Sequence, residues 1–159
     1  MSGLFLYLDL KGTHIATEQN LFFLNQTEPY YLTGLNAIFI NQEGSFKSTK
    51  RYFSNRIKRA FDMEEMSEDF SGIYYQQLKM MAIATGRGEE KAKVTLCHEL
   101  LHHEWDSKLS REEKEIWQEE YDYLLEKIGK EKMDSIGRYN ADEVRAYQLS
   151  ETGICFTRK

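Results

Sequence analysis

His98-Glu99-Leu100-Leu101-His102 places two imidazoles four residues apart, with a carboxylate directly after the first. On an α-helix, residues i and i+4 lie one above the other on one face, so both rings can turn a nitrogen toward the same metal ion. Glu99 points about 100° round the helix from His98, which sets its carboxylate beside such an ion and not on it. A zinc site begun this way needs a third protein ligand and keeps one position for water, whose proton Glu99 is placed to take. At this chain's own His and Glu frequencies an accidental match is about a one-in-a-hundred event, so the motif has to be read in its context.

The motif falls inside a helical pattern from Glu89 to Trp105. Val94, Cys97, Leu101 and Trp105 share one stripe and Leu96 and Leu100 lie on the other side, so the sequence predicts a helix apolar over most of its circumference, running through the interior. Two imidazoles and a carboxylate on a buried helix need a compensating cation or network, because desolvating an unpartnered carboxylate costs several kcal/mol. His103 follows the second histidine directly, His14 stands alone in a turn-like stretch expected at the surface, and the chain has no other His.

The rest of the chain has to position that helix. It has 159 residues, with 21 Lys and Arg against 26 Asp and Glu, a formal net charge of -5. That length suits one domain with one core, and a 30% charged, 41% apolar composition is that of a folded protein. The acidic balance gives no overall field for polyanions, so nucleic acid would need a local patch. The candidate patch is a basic amphipathic helix at 45–61, where Lys47, Lys50, Arg51, Arg56, Lys58 and Arg59 alternate with Phe46, Tyr52, Phe53 and Phe61. It reads first as a solvated helix with a core-facing aromatic side, and otherwise as a nucleic-acid surface or a dock for an acidic protein substrate. Two cysteines cannot form a disulfide framework, and Cys97 within a helix is expected to be a small, buried, reduced thiol, which fits a cytoplasmic setting. A signal peptide and a membrane span are not expected from the sequence.

Strands are expected at 3–10 and 35–41, a hairpin or paired strands between 70 and 85, and helices over 45–62, 89–105, 110 to about 130, and 140–150. Ser110-Arg111-Glu112-Glu113 is a capping box. The fold class is α/β (α+β), with a small mixed or antiparallel sheet packed on the motif helix.

The H-E-x-x-H segment resembles the active-site helix of zincin metallopeptidases. The metzincin branch would continue with Gly and a third His, whereas here His103-Glu104-Trp105-Asp106 follows. Gluzincins take the third ligand from a glutamate on a later helix, and Asn140-Ala141-Asp142-Glu143-Val144-Arg145-Ala146-Tyr147 resembles that helix. Its Glu-x-x-Ala core is similar to that of small soluble gluzincins, of phage-repressor-cleaving peptidases and of some membrane-embedded peptidases. The likeness spans about 72–150: edge strand, turn, motif helix, intervening helix, glutamate helix.

With one domain expected from the length, the resemblance implies a zincin-like catalytic core in 71–150 of a single domain over 1–159, whose residues 1–70, N-terminal strands and the basic helix, carry no motif of the family and whose residues 151–159 are a tail. It implies one Zn²⁺ per chain held by His98, His102 and Glu143, with Glu99 as general base for peptide-bond hydrolysis. Asp142 competes with Glu143 for the third ligand position. Tyr147, Tyr139 or His103 would support the oxyanion or the ligands. Tyr147 stands where the thermolysin-like helix has an Asp that orients the first His, leaving Asp106, Asp142 and Asn140 as alternative partners. Cys155 either reaches the zinc and holds the enzyme latent or packs inertly in the tail. Two rival readings share the motif: a regulatory protein that binds or cleaves one specific partner, such as a repressor, and a non-peptidase metal-binding or nucleic-acid-binding module.

Overall fold

Short apolar and aromatic runs bounded by turns become the strands of one mixed sheet. The computed structural model describes residues 6–9, 26–35, 37–41, 72–77, 79–84 and 88–157. The strands are β1 (Leu6–Asp9), β2 (Ala37–Asn41), β3 (Gly72–Tyr75) and β4 (Met80–Ala84), in spatial order β1-β2-β4-β3. β1 and β4 run parallel to β2, with Leu6 opposite Ala37 and Ala37 opposite Met80. β3 is antiparallel to β4, with Tyr75 opposite Met80, and lies at the edge. The ambiguous stretch between 70 and 85 is therefore a hairpin. Met81 and Ile83, two residues apart on one face of β4, are both buried, the period that a half-covered strand requires.

Among the described residues five helices accompany the sheet: α1 (Pro29–Leu32), α2 (Glu89–Ser107), α3 (Arg111–Ile128), α4 (Lys130–Ser135) and α5 (Ala141–Ser150). Ser110 caps α3 by accepting the Glu113 N–H at 3.1 Å. The helix expected from 110 to about 130 is present and ends at Ile128. Gly129, at φ 93°, stops α3 and opens the short α4, a backbone conformation that side-chain-bearing residues rarely adopt. The basic stretch at 45–61 and His14 lie outside the described residues. No helix among the described residues is long and apolar enough to cross a membrane.

α2 lays Leu96, Cys97, Leu100 and Leu101 against Leu35, Ile38, Met81 and Ile83, and Ala146 of α5 closes the cluster. The expectation of an apolar circumference is corrected at one place: Val94 is 40% exposed, because that flank of α2 borders an open cavity instead of the core. Polar groups occupy the rest of the buried surface, with Glu99, His103 and Glu104 all inside. Beyond α5 the chain turns back, and Phe156 bridges Thr27 in antiparallel fashion.

Candidate metal centre

Two helices bring three donors together. On α2 the imidazoles of His98 and His102 stack one turn apart, ring centroids 4.7 Å from each other, with their Nε2 atoms 3.1 Å apart. α5 starts at Asn140, whose side chain accepts the Glu143 N–H at 2.8 Å and fixes the first turn. Val144 and Ala146, fully buried, press α5 into the interior, and Glu143 is thereby turned onto the histidines. Its Oε1 lies 3.1 Å from His102 Nε2 and its Oε2 3.3 Å from His98 Nε2.

These separations match the chemistry of the donors. Four ligands at about 2.0 Å from a zinc ion lie about 3.3 Å from one another, the edge of the tetrahedron. His98, His102 and Glu143 offer atoms that all fall within 4.8 Å of one another. The residues present therefore fit a metal ion at that position.

Asp142 lies outside this donor group. Its Oδ1 sits 2.9 Å from His102 Nδ1, on the far side of the ring. A carboxylate oxygen only accepts, so Nδ1–H donates and the Nε2 lone pair is left for a metal. Of the three alternative orienting partners only Asp142 reaches a histidine of the pair. Asn140 is the cap of α5, and Asp106 is taken up by Tyr74 at 2.9 Å, Gln76 at 2.7 Å and Lys79. Asp142→Asn is expected to lower zinc affinity about 10- to 100-fold while the fold persists, measured by competition with a chromophoric chelator.

Without metal the site is an ion cluster. Burial opposes charge on His102, but the hydrogen bonds to Asp142 and Glu143 outweigh it and raise the ring to about 10. Burial likewise opposes the Glu143 carboxylate, yet the two histidines hold it down to about 2. The raised His102 stabilises the metal-free fold fully below its ordinary 6.5 and ceases to do so as pH rises through about 10. The lowered Glu143 contributes fully above its ordinary 4.5 and is lost as pH falls through about 2. Chelator-treated protein should therefore draw the most stability from this pair between pH 4.5 and 6.5, as read from urea unfolding across pH.

Glu99 is buried beside the donors, and burial raises its carboxyl above the usual range. It borders two cavities of about 580 and 520 Å³ that also share His102, Tyr139 and Glu143. The first is walled by Ile73, Tyr74 and Trp105, the second by Thr95, His98 and Tyr147. β3 forms the border opposite Glu99, and sequence reasoning missed why it can. A Cβ on Gly72 would lie 2.5 Å from Thr95 Cγ2 and 3.2 Å from Glu99 Oε2, so only glycine lets the edge strand pass this close. The sequence signal is Gly72 itself, which opens the first strand of the hairpin before the motif helix. Gly72→Ala should cost about 1–3 kcal/mol in a denaturant melt, since the clash is with a stiff β-branched side chain.

The remaining candidates divide. Tyr147 packs its ring 4.6 Å from that of His98, under the Arg138 guanidinium. Tyr139 is more than half exposed, with its hydroxyl donating to Glu143 Oε1 at 3.4 Å. His103 does not face the donors. It is fully buried, with Nε2 2.8 Å from the Thr33 carbonyl and Nδ1 2.9 Å from the Tyr74 hydroxyl, and it ties α2 to β3 and to the residues after α1. Cys155 is also turned away from the donors and meets Cys97 in the core. Of the two readings of Cys155, packing in the tail agrees with this placement and reach to the donors does not: the tail turns back on residues 26–28, which seats the thiol in the core.

Comparison with protein-family models, with curated proteins and with solved structures finds no match to this chain.

Proposed function

We propose that the chain is a zinc-dependent peptidase of gluzincin type, cytoplasmic, with the catalytic core at 71–150. The observation that carries this reading is the convergence of His98, His102 and Glu143 at tetrahedral-edge spacing, next to a buried glutamate that is not one of the donors. His98, His102 and Glu143 would hold one Zn²⁺ per chain. Such an ion would supply Lewis acidity and lower the pKa of water at the site toward neutrality.

The chain's own residues do the rest. Glu99, with its proton affinity raised by burial, accepts the proton of the attacking water and returns it to the leaving nitrogen. Tyr139, exposed, lining both cavities and with its hydroxyl beside Glu143, is placed to donate to the developing oxyanion, whereas Tyr147 is held against His98. An extended peptide suits the cleft because β3, at the edge of the sheet among the described residues, lines both cavities.

The test is metal analysis of protein purified without chelator, together with mass-spectrometric scoring of cleavage in a peptide mixture. About one zinc per chain, weakened in Glu143→Ala, and cleavage abolished by a chelator and restored by zinc are expected. Protein without zinc, or zinc affinity unchanged in Glu143→Ala, removes the assignment.

A further inference from the structure

The core contains a second pair of reactive groups that the metal chemistry does not use. Cys97, on α2, and Cys155, in the tail, are 58 residues apart in sequence, both fully buried, with their sulfurs 2.6 Å from each other. The Cys155 thiol also lies 3.7 Å from the Cys97 carbonyl oxygen. The tail is held in this place by its backbone: the Glu28 N–H donates to the Cys155 carbonyl at 2.8 Å, and the Thr157 N–H to the Gln26 carbonyl at 2.7 Å. Facing thiols on two anchored segments put the two sulfurs within reach of a cross-link.

We infer that Cys97 and Cys155 form a reversible redox pair, closing to an intramolecular disulfide on exposure to a low-molecular-weight disulfide such as oxidised glutathione. One cysteine thiolate attacks a glutathione sulfur, the S–S bond of glutathione breaks, and one glutathione thiolate leaves. The second cysteine thiolate then attacks the protein sulfur of the mixed disulfide and expels the other glutathione. The protein loses two electrons and two protons, which reduce one oxidised glutathione to two thiols. Both sulfurs are buried, so the first attack requires the tail to release residues 26–28. A thiol reductant reverses the sequence.

The bond would staple the tail to the residue preceding His98. Cys97 points about 100° round α2 from His98, into the apolar cluster, so the metal donors are not displaced. Cross-linking across 58 residues restricts the unfolded chain and should raise Tm by roughly 10 °C. This inference stands on the core packing and does not rest on the peptidase reading.

The full chain is incubated with oxidised glutathione, denatured, alkylated with iodoacetamide and weighed intact without reductant. A loss of about 2 Da with no alkylation, reversed to two alkylated thiols by reductant, is expected, together with the higher Tm and unchanged zinc content. Cys155→Ala, with Cys97→Ala as its reciprocal, should show neither the mass loss nor the Tm shift. Two alkylatable thiols, glutathione adducts that do not resolve, or a disulfide-linked dimer after the same treatment would overturn the pairing.

Discussion

Under the proposed peptidase reading, Glu99→Gln is expected to keep zinc at the level of the unaltered protein and to lose peptide hydrolysis by about 10²- to 10⁴-fold in kcat/KM. The amide has the shape of the carboxylate, so it fits the gap that Gly72 leaves open next to Thr95. It cannot take a proton from water, which isolates the proposed general-base role from the packing role. The stability side of the same substitution is favourable. Glu99 is only 8% exposed and its carboxyl is raised by burial, so the amide removes a group whose charged form is poorly solvated. Unfolding free energy should therefore be unchanged or slightly higher, and loss of activity cannot be ascribed to loss of fold. Parallel measurement of kcat/KM, zinc content and urea midpoint decides the matter. Full activity in Glu99→Gln would place the base on another residue, while loss of zinc would mean that Glu99 acts as a ligand.

Local spacing made part of this site legible. His98 and His102 share a helix face because of the helical period alone, and the structure stacks them as that period requires. Glu143 came from the resemblance of its helix and from the order of elements. Residue spacing alone left Asp142 as a rival, because neighbours on one helix turn cannot be ranked until the crossing of that helix with α2 is known. The crossing separates their roles, since Glu143 meets both Nε2 atoms and Asp142 meets the outer nitrogen of His102. His103 shows the opposite case. Adjacent to a donor in sequence, it lies about 100° round the helix and is consumed by contacts with Thr33 and Tyr74, which are 70 and 29 residues away.

The sheet was legible where apolar runs had clear bounds, at β1 and β2, and only in outline where two periods competed, at β3 and β4. Cys97 and Cys155 illustrate what a chain read in one dimension hides. Each is an ordinary buried thiol by composition, and their contact exists only because the tail turns back to pair with residues 26–28.

The same long-range logic governs a pair that the motif gave no reason to notice. Arg145→Met is expected to destabilise the fold by about 3–5 kcal/mol, the cost of leaving a buried charge without its partner. Arg145 and Glu104 are each 5% exposed and form an ion pair between α5 and α2. Arg145 also donates from Nη1 to the Leu101 carbonyl at 3.3 Å. The pair sits two residues beyond Glu143 on one helix and two beyond His102 on the other, so it fastens the crossing that brings the metal donors together. Desolvation works against such pairs, and the buried Arg145 Nε has no hydrogen-bond partner among the described residues. The pair as a whole should therefore contribute little relative to apolar residues of similar volume. The double variant Glu104→Leu/Arg145→Met should recover most of the stability lost in Arg145→Met, as measured by urea unfolding of the metal-free protein. If the double variant is no more stable than the single one, the cost lies in the lost packing of the arginine stem and not in an orphaned carboxylate. Zinc affinity then separates stability from placement: a double variant that recovers its stability but binds zinc more weakly assigns the ion pair to setting the α2–α5 register, a role that apolar contacts, free to slide, would fill less well.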